Sequence, residues 1–156
     1  MPSQNEGPPA GVRRVSFVVY GQVRRKGNRR IIARRGVSGR PFLPKSKEAQ
    51  AYEQTFAWQT ATVQPRGLGS KERLLLVTGD VYYRHRFQGD LSIELVLDCM
   101  QKAGIITDDR YVVHHGIWRR VDHERPRLEL TVTEILASEY PWNTTTRLPP
   151  SEKEET

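Results

Sequence analysis

Five carboxylates crowd the stretch from Asp90 to Asp109 of a strongly basic chain. Asp90, Glu94 and Asp98 recur at i, i+4, the spacing that stacks side chains along one edge of a helix, and Asp108-Asp109 follow after a short apolar step, Ile105-Ile106. Like charges so spaced cost a helix roughly 0.2–0.5 kcal/mol per pair. A divalent cation would offset that cost. Carboxylates of this kind can hold one or two Mg²⁺ ions, with Mn²⁺ able to take their place, and a metal so held activates water and stabilises the leaving oxygen of a phosphodiester. Each acid also has a plain structural use. Asp90 after Gly89 suits a helix N-cap, Glu94 and Asp98 suit a solvated face, and Asp108-Asp109 suit a turn before a strand.

The charge around them favours a polyanionic partner. The net charge is +7. Between Glu6 and Glu48 there is no acidic residue, while twelve Lys and Arg lie in that interval. Arg24, Arg25, Lys26, Arg29, Arg30, Arg34, Arg35 and Lys45 are the candidate phosphate contacts, and nucleic acid is the first choice of partner. Competing chemistries fare worse. The chain has no Gly-x-Ser-x-Gly elbow, no phosphate loop ending in Lys-Ser/Thr and no His-Glu-x-x-His. No small-molecule cofactor is expected. His114 and His115 are adjacent in a strand pattern, so they point to opposite faces and suit structural roles. His85, just before the helix, could approach phosphate.

The elements that must position these groups are legible as periodicities. Residues 1–12 are polar and Pro/Gly-rich, a disordered lead-in; residues 13–136 form the domain; residues 137–156 form a polar tail. Within that tail Tyr140 and Trp142 are the residues that could dock on the rest of the chain. Arg14 to Tyr20 is a first strand, followed by a long basic loop over 21–45 with a short hairpin around Arg30 to Ala33. Ser46 caps a helix running to about Val63, with Tyr52, Phe56 and either Gln59 or Val63 facing inward. Arg73 to Tyr83 is a second strand, apolar on both alternations at its start and therefore central. Tyr111 to Val121 and Arg127 to Ile135 are the third and fourth, joined by a tight turn as a terminal hairpin; Leu128, Leu130 and Val132 point inward. The expected fold is α+β: a small mixed four-stranded sheet in the order β-α-β-α-β-β, covered by two helices.

The helix expected over Asp90–Ala103, stopped at Gly104, is apolar on two sides. Ile93, Val96, Leu97 and Met100 form one stripe, and Leu91, Leu95 and Cys99 a second that suits a partner subunit. One cysteine excludes an internal disulfide or a cysteine-based zinc cluster, and Cys99 on an apolar face suits a buried thiol. No apolar run reaches the roughly 18 residues of a membrane span, and residues 1–11 lack the apolar centre of a signal peptide, so a cytoplasmic setting without membrane contact is expected.

The run Asp90-Leu91-Ser92 … Leu97-Asp98 … Gln101-Lys102-Ala103-Gly104-Ile105-Ile106-Thr107-Asp108-Asp109-Arg110, a strand, and the closing Arg127-Leu128-Glu129-Leu130-Thr131-Val132-Thr133-Glu134 resembles the RusA family of Holliday-junction resolvases. The front end agrees through Tyr20-Gly21-Gln22-Val23-Arg24-Arg25-Lys26-Gly27, so the resemblance covers about Val15 to Ile135. It implies a homodimeric, Mg²⁺-dependent endonuclease that cuts four-way DNA junctions symmetrically in recombination and repair, of a kind common in phages and prophages. It departs from the family's Asp-x-Asp-Asn-x-x-Lys at the helix start. An ungapped register puts Gln88 at the first Asp, Asp90 at the second and Glu94 at the Lys, and sliding by two residues puts Asp90 first and Ser92 second. In the ungapped register Asp90 and Asp109 are the matched acids, Glu94 supplies the missing carboxylate and Asp108 assists. Lys26, Lys45 and Lys102 are the alternatives for the missing lysine. The same departures leave a non-cleaving junction- or duplex-binding protein as the alternative. A basic RNA-binding protein is a weaker one, since the strands lack the aromatic pattern of base-stacking modules.

Overall fold

Leu74 to Val77 are apolar on both alternations of one strand, which suits a strand with neighbours on both edges. The computed structural model, which describes residues 11–23, 33–35, 40–42, 46–87 and 91–142 (the backbone alone for 33–35 and 40–42), puts it there. In chain order the elements are β1 (Arg14–Tyr20), β2 (Ala33–Arg35), β3 (Arg40–Phe42), α1 (Lys47–Gln59), β4 (Arg73–Tyr83), α2 (Ile93–Lys102), a 3-10 turn (Asp109–Tyr111), β5 (Val112–Val121) and β6 (Arg127–Leu136). The main sheet runs β1-β6-β4-β5, and β2 and β3 form a separate antiparallel pair. Strand β4 is parallel to β5 and antiparallel to β6, and β6 is antiparallel to β1. The fold is therefore the expected mixed α+β sheet with two helices.

One face of the sheet carries the core. Val15, Phe17 and Val19 from β1, Leu128, Leu130 and Val132 from β6, and Leu75, Val77 and Val81 from β4 pack with Ala49, Tyr52 and Phe56 of α1 and Leu95, Val96, Cys99 and Met100 of α2. Phe17 meets Phe56 edge to face at 5.7 Å between ring centroids. Strands β4 and β6 approach so closely at Gly79 that a Cβ there would lie 1.9 Å from the Glu129 carbonyl oxygen, which only glycine avoids. The other alternation (Ser16, Val18, Tyr20, Thr78, Trp118) is open to solvent.

Four expectations change. Strands β5 and β6 do not form a hairpin, because β4 lies between them and pairs with both. Residues 122–126 cross the end of β4, two strand spacings or roughly 9.5 Å, and Asp122 shapes the crossing by accepting from the N–H groups of Glu124 and Arg125, both at 3.0 Å. Helix α1 ends at Gln59, whose side chain stays out of the core. Its amide pairs with the Tyr20 N–H at 2.8 Å and the Tyr20 carbonyl at 2.9 Å, closing that end of the β1 edge. The hairpin in the basic segment forms a few residues later than expected, with Arg35 opposite Arg40. Finally, Leu95 and Cys99 are 0% and 1% exposed, and half-buried Leu91 also packs against the core, so most of that second apolar stripe is covered within the chain. Helix α1 packs beside α2 and supplies the cover that the sheet alone does not.

Candidate metal and nucleic-acid site

Helix α2 starts later than its periodicity suggested. Ser92 is the N-cap, its hydroxyl accepting from the Leu95 N–H at 3.3 Å. Asp90 therefore precedes the helix, and with Gln88 and Gly89 it falls outside the described residues. No helical i, i+4 relation joins it to Glu94. The far end of α2 is as expected: Gly104 takes φ +78°, its N–H reaches the Gln101 carbonyl, and the Ile105 N–H reaches that of Met100. Two crossed bonds of this kind with a buried residue just beyond define a Schellman stop.

Between those ends Glu94, Asp98 and Gln101 share one side of α2, with Glu94 and Gln101 exposed and Asp98 half-buried. Gln101 Oε1 accepts from the backbone N–H of Asp109 at 3.0 Å, which seats the 3-10 turn against the C-terminal end of this strip. The approach to the turn is held by the loop before β4. Leu68 N–H donates to the Ile105 carbonyl at 2.9 Å, Thr107 N–H to the Leu68 carbonyl at 2.9 Å, and Thr107 Oγ1 to the Gly69 carbonyl at 2.8 Å. Asp109 itself is exposed. Asp108 has a local task, accepting from the Arg110 N–H at 3.0 Å and pairing with the Arg110 guanidinium at 3.3 Å.

Of the expected acids, the fold thus brings Asp108 and Asp109 to the helix strip, but not all parts of the strip are equally near. Helical rise sets Glu94 about 10 Å along the axis from Gln101, against about 4.5 Å for Asp98. Asp98 is the helix carboxylate with the shorter reach to Asp109. Among the described residues no three His, Cys, Asp or Glu side chains converge as a metal cluster. The donors present are carboxylate and amide oxygens, which suit a hard cation such as Mg²⁺ or Mn²⁺. Lys102 is paired with Glu53 of α1 at 2.8 Å, which occupies one of the three lysines considered for the missing position. Lys26 and Lys45 lie outside the described residues, as do Arg24, Arg25, Arg29 and Arg30; Arg34 and Arg35 have their backbone in β2.

The sequence reading passed over one carboxylate. Glu134 is 1% exposed on the core face of β6. Its Oε1 accepts from the Arg13 backbone N–H at 2.9 Å and Arg13 Nε at 3.0 Å, and its Oε2 from the Gly69 N–H at 3.1 Å and Arg13 Nη2 at 3.2 Å. Burial alone pushes this carboxyl up. The Arg13 guanidinium and the N–H groups of Gly69 and Arg13 outweigh burial and hold it below the usual carboxylate value. The signal was the alternation itself: Leu128, Leu130 and Val132 point inward, so Glu134 had to follow them.

Compared with protein-family models and with curated proteins, the chain matches none.

Proposed function

We propose that this chain is a homodimeric, divalent-metal-dependent endonuclease that resolves four-way DNA junctions by paired phosphodiester cleavage. Its main support is the seating of Asp109 beside the acidic side of α2, in a chain whose run from Asp90 to Arg110 resembles the RusA resolvases. Asp90 and Asp109 would hold Mg²⁺ with a helix carboxylate, Glu94 by the register of the resemblance or Asp98 by its shorter reach. The metal would supply water activation and leaving-group stabilisation. The basic residues between Arg24 and Lys45 would contact phosphates. Paired cuts need paired sites, hence a dimer, joined elsewhere than the buried Leu95–Cys99 stripe.

The rival is a junction-binding protein without cleavage, favoured by Gln88 and Glu94 where the family has Asp and Lys. Incubation with an end-labelled four-way junction and Mg²⁺ distinguishes the two. Symmetric nicks in opposing strands, lost in Asp109→Asn, support the nuclease. Retarded junction or duplex without nicks supports the rival, and binding to neither overturns both.

A further inference from the structure

Phe87 and Trp118 are large aromatic residues that the fold leaves in water, at 97% and 71% exposure. They stand toward the same end of the β4–β5 pair, where a basic patch lies. At the C-terminal ends of the parallel strands β4 and β5, a shallow hollow of about 280 Å³ is lined by His85, Arg86, Phe87, Arg119 and Arg120 over Tyr83 and Val121. Trp118 stands two residues before Arg120 on the same strand face, about 7 Å away, while Arg119 takes the opposite face, its guanidinium 5.8 Å from the Tyr83 ring centroid. Exposed Arg84 adjoins, and the His85 and His123 rings lie 5.7 Å apart between centroids. Of two nearby carboxylates, Asp122 holds its turn and Arg127, and Asp80 offsets part of the Arg120 charge, accepting from its Nε at 2.9 Å. Phe87 keeps a backbone φ of +60°, a left-handed conformation that favours glycine, where a small residue would serve if only a turn were needed.

We propose that Trp118, Arg120, Arg84, Arg86 and Phe87 form a binding track for single-stranded DNA. Aromatic faces alternating with guanidinium groups match unpaired bases alternating with phosphates: each base stacks on a ring while the arginines neutralise the backbone. Duplex DNA hides its base faces, so the rings would find nothing there to stack on. A second copy of this chain is a poor occupant, since a two-fold contact through the patch would set its arginines against their own counterparts. The track deepens the DNA-binding half of the proposed function and does not require cleavage.

The test uses the full chain with fluorescein-labelled oligothymidylate and, separately, the labelled four-way junction. Trp118→Ala and Phe87→Ala should each weaken oligothymidylate binding about tenfold, in line with the loss of one stacked base. Trp118→Phe should bind nearly as well as the unmodified protein. Arg84→Ala with Arg86→Ala should flatten the dependence of log affinity on log salt by about 1.4, roughly 0.7 per phosphate on a single strand. Oligothymidylate should quench tryptophan emission in the unmodified protein and in Trp58→Ala, but much less in Trp118→Ala. The proposal is overturned if the unmodified protein does not bind oligothymidylate, or if Trp118→Ala and Phe87→Ala bind it undiminished, whether or not the junction is cut. Oligothymidylate binding that depends on these residues, in a protein that ignores the junction, upholds the track and removes the resolvase reading instead.

Discussion

Glu134 and Asp109 are carboxylates joined by one short stretch of scaffold and treated in opposite ways. Glu134 is sealed, and each of its oxygens accepts two hydrogen bonds from fixed donors. At Asp109 the anchored group is the backbone N–H, held by Gln101, while the residue stays exposed. Gly69 links the two, donating its N–H to Glu134 and accepting at its carbonyl from Thr107, two residues before Asp109. The difference separates two uses of the same chemistry. A carboxylate whose oxygens are filled by the protein holds the fold together. One fixed through its backbone, in water, keeps its position without being sealed, as the proposed metal site requires.

The largest effect should come from the open site. Asp109→Asn keeps the shape and removes a charge that a cation needs, so Mg²⁺-dependent junction cleavage should fall about a thousandfold, as expected when metal activation of water is lost. The unfolding free energy should move by less than about 0.5 kcal/mol, as for other exposed sites. Single-turnover cleavage and urea titration on the same preparation measure both. A loss of several kcal/mol in stability would place Asp109 with Glu134 and end the contrast. Glu94→Gln and Asp98→Asn, run alongside, decide which helix carboxylate belongs to the site. Cleavage surviving in Glu94→Gln but lost in Asp98→Asn would favour reach along the helix over the register of the resemblance.

Glu134→Gln should do the reverse. Breaking a buried ion pair costs roughly 3–5 kcal/mol. The Arg13 side chain is 43% exposed and can recover some hydration, so about 2–3 kcal/mol is expected here. Cleavage per folded molecule should change far less than in Asp109→Asn. A stable Glu134→Gln protein would mean that the Arg13 pair contributes little beyond geometry.

How far these roles could be read from sequence depended on what each signal encodes. Strands β1 and β4 have the bounds that their residue patterns gave, because period-two burial fixes both the extent and the faces of a strand. Periodicity does not say which strands are neighbours. The expected β5–β6 hairpin failed because β4, apolar on both alternations, took the place between them. On α2 the stripe of Leu95 and Cys99 was legible, but its cover was not: α1 packs beside α2, and its Tyr52 and Phe56 share one core with Leu95 and Cys99. The burial of Glu134 follows from the β6 alternation, but its partner Arg13 is distant in sequence and no periodicity pairs the two. The acidic residues beside the Schellman stop were visible, since Gly104 and the Asp pair are local signals. The seating of Asp109 on Gln101 was not, being a contact between a side chain and a backbone N–H eight residues apart.

Acid sharpens the contrast further. The folded-state pKa of Glu134 lies below its ordinary value, so its contribution is fully present above the unfolded pKa of about 4.3 and is lost as pH falls through the folded value. Asp122 behaves alike: the N–H of Arg125, the Arg127 guanidinium and the N–H of Glu124 hold its carboxyl down to about 2. Unfolding free energy of the unmodified chain should therefore decline below about pH 4.3, and the decline should be shallower in Glu134→Gln, which retains only the Asp122 part. Parallel curves for the two proteins would mean that Glu134 titrates alike folded and unfolded.

Gln101→Ala should give the smallest effect and the finest test of positioning. It removes the acceptor for the Asp109 N–H without touching a carboxylate. That N–H is near the surface and water can replace the lost partner, so stability should fall by less than about 1 kcal/mol, within the range of a single exchanged hydrogen bond. What changes is the freedom of the 3-10 turn, and with it the place of the Asp109 carboxylate relative to α2. A displacement of about 1 Å in a reacting group can cost up to about a hundredfold in rate. The turn is still held through Thr107 and Gly69, so about tenfold is expected, with a higher Mg²⁺ concentration needed for half-maximal cleavage. Gln101→Glu keeps an oxygen acceptor at the same reach and should restore most of the rate. A role limited to folding would lower the rate only in step with the folded fraction and leave the Mg²⁺ requirement unchanged. If Gln101→Ala cleaves normally at every Mg²⁺ concentration, the turn is fixed by the Thr107–Gly69 contact alone, and the bond to α2 does not set the geometry of the site.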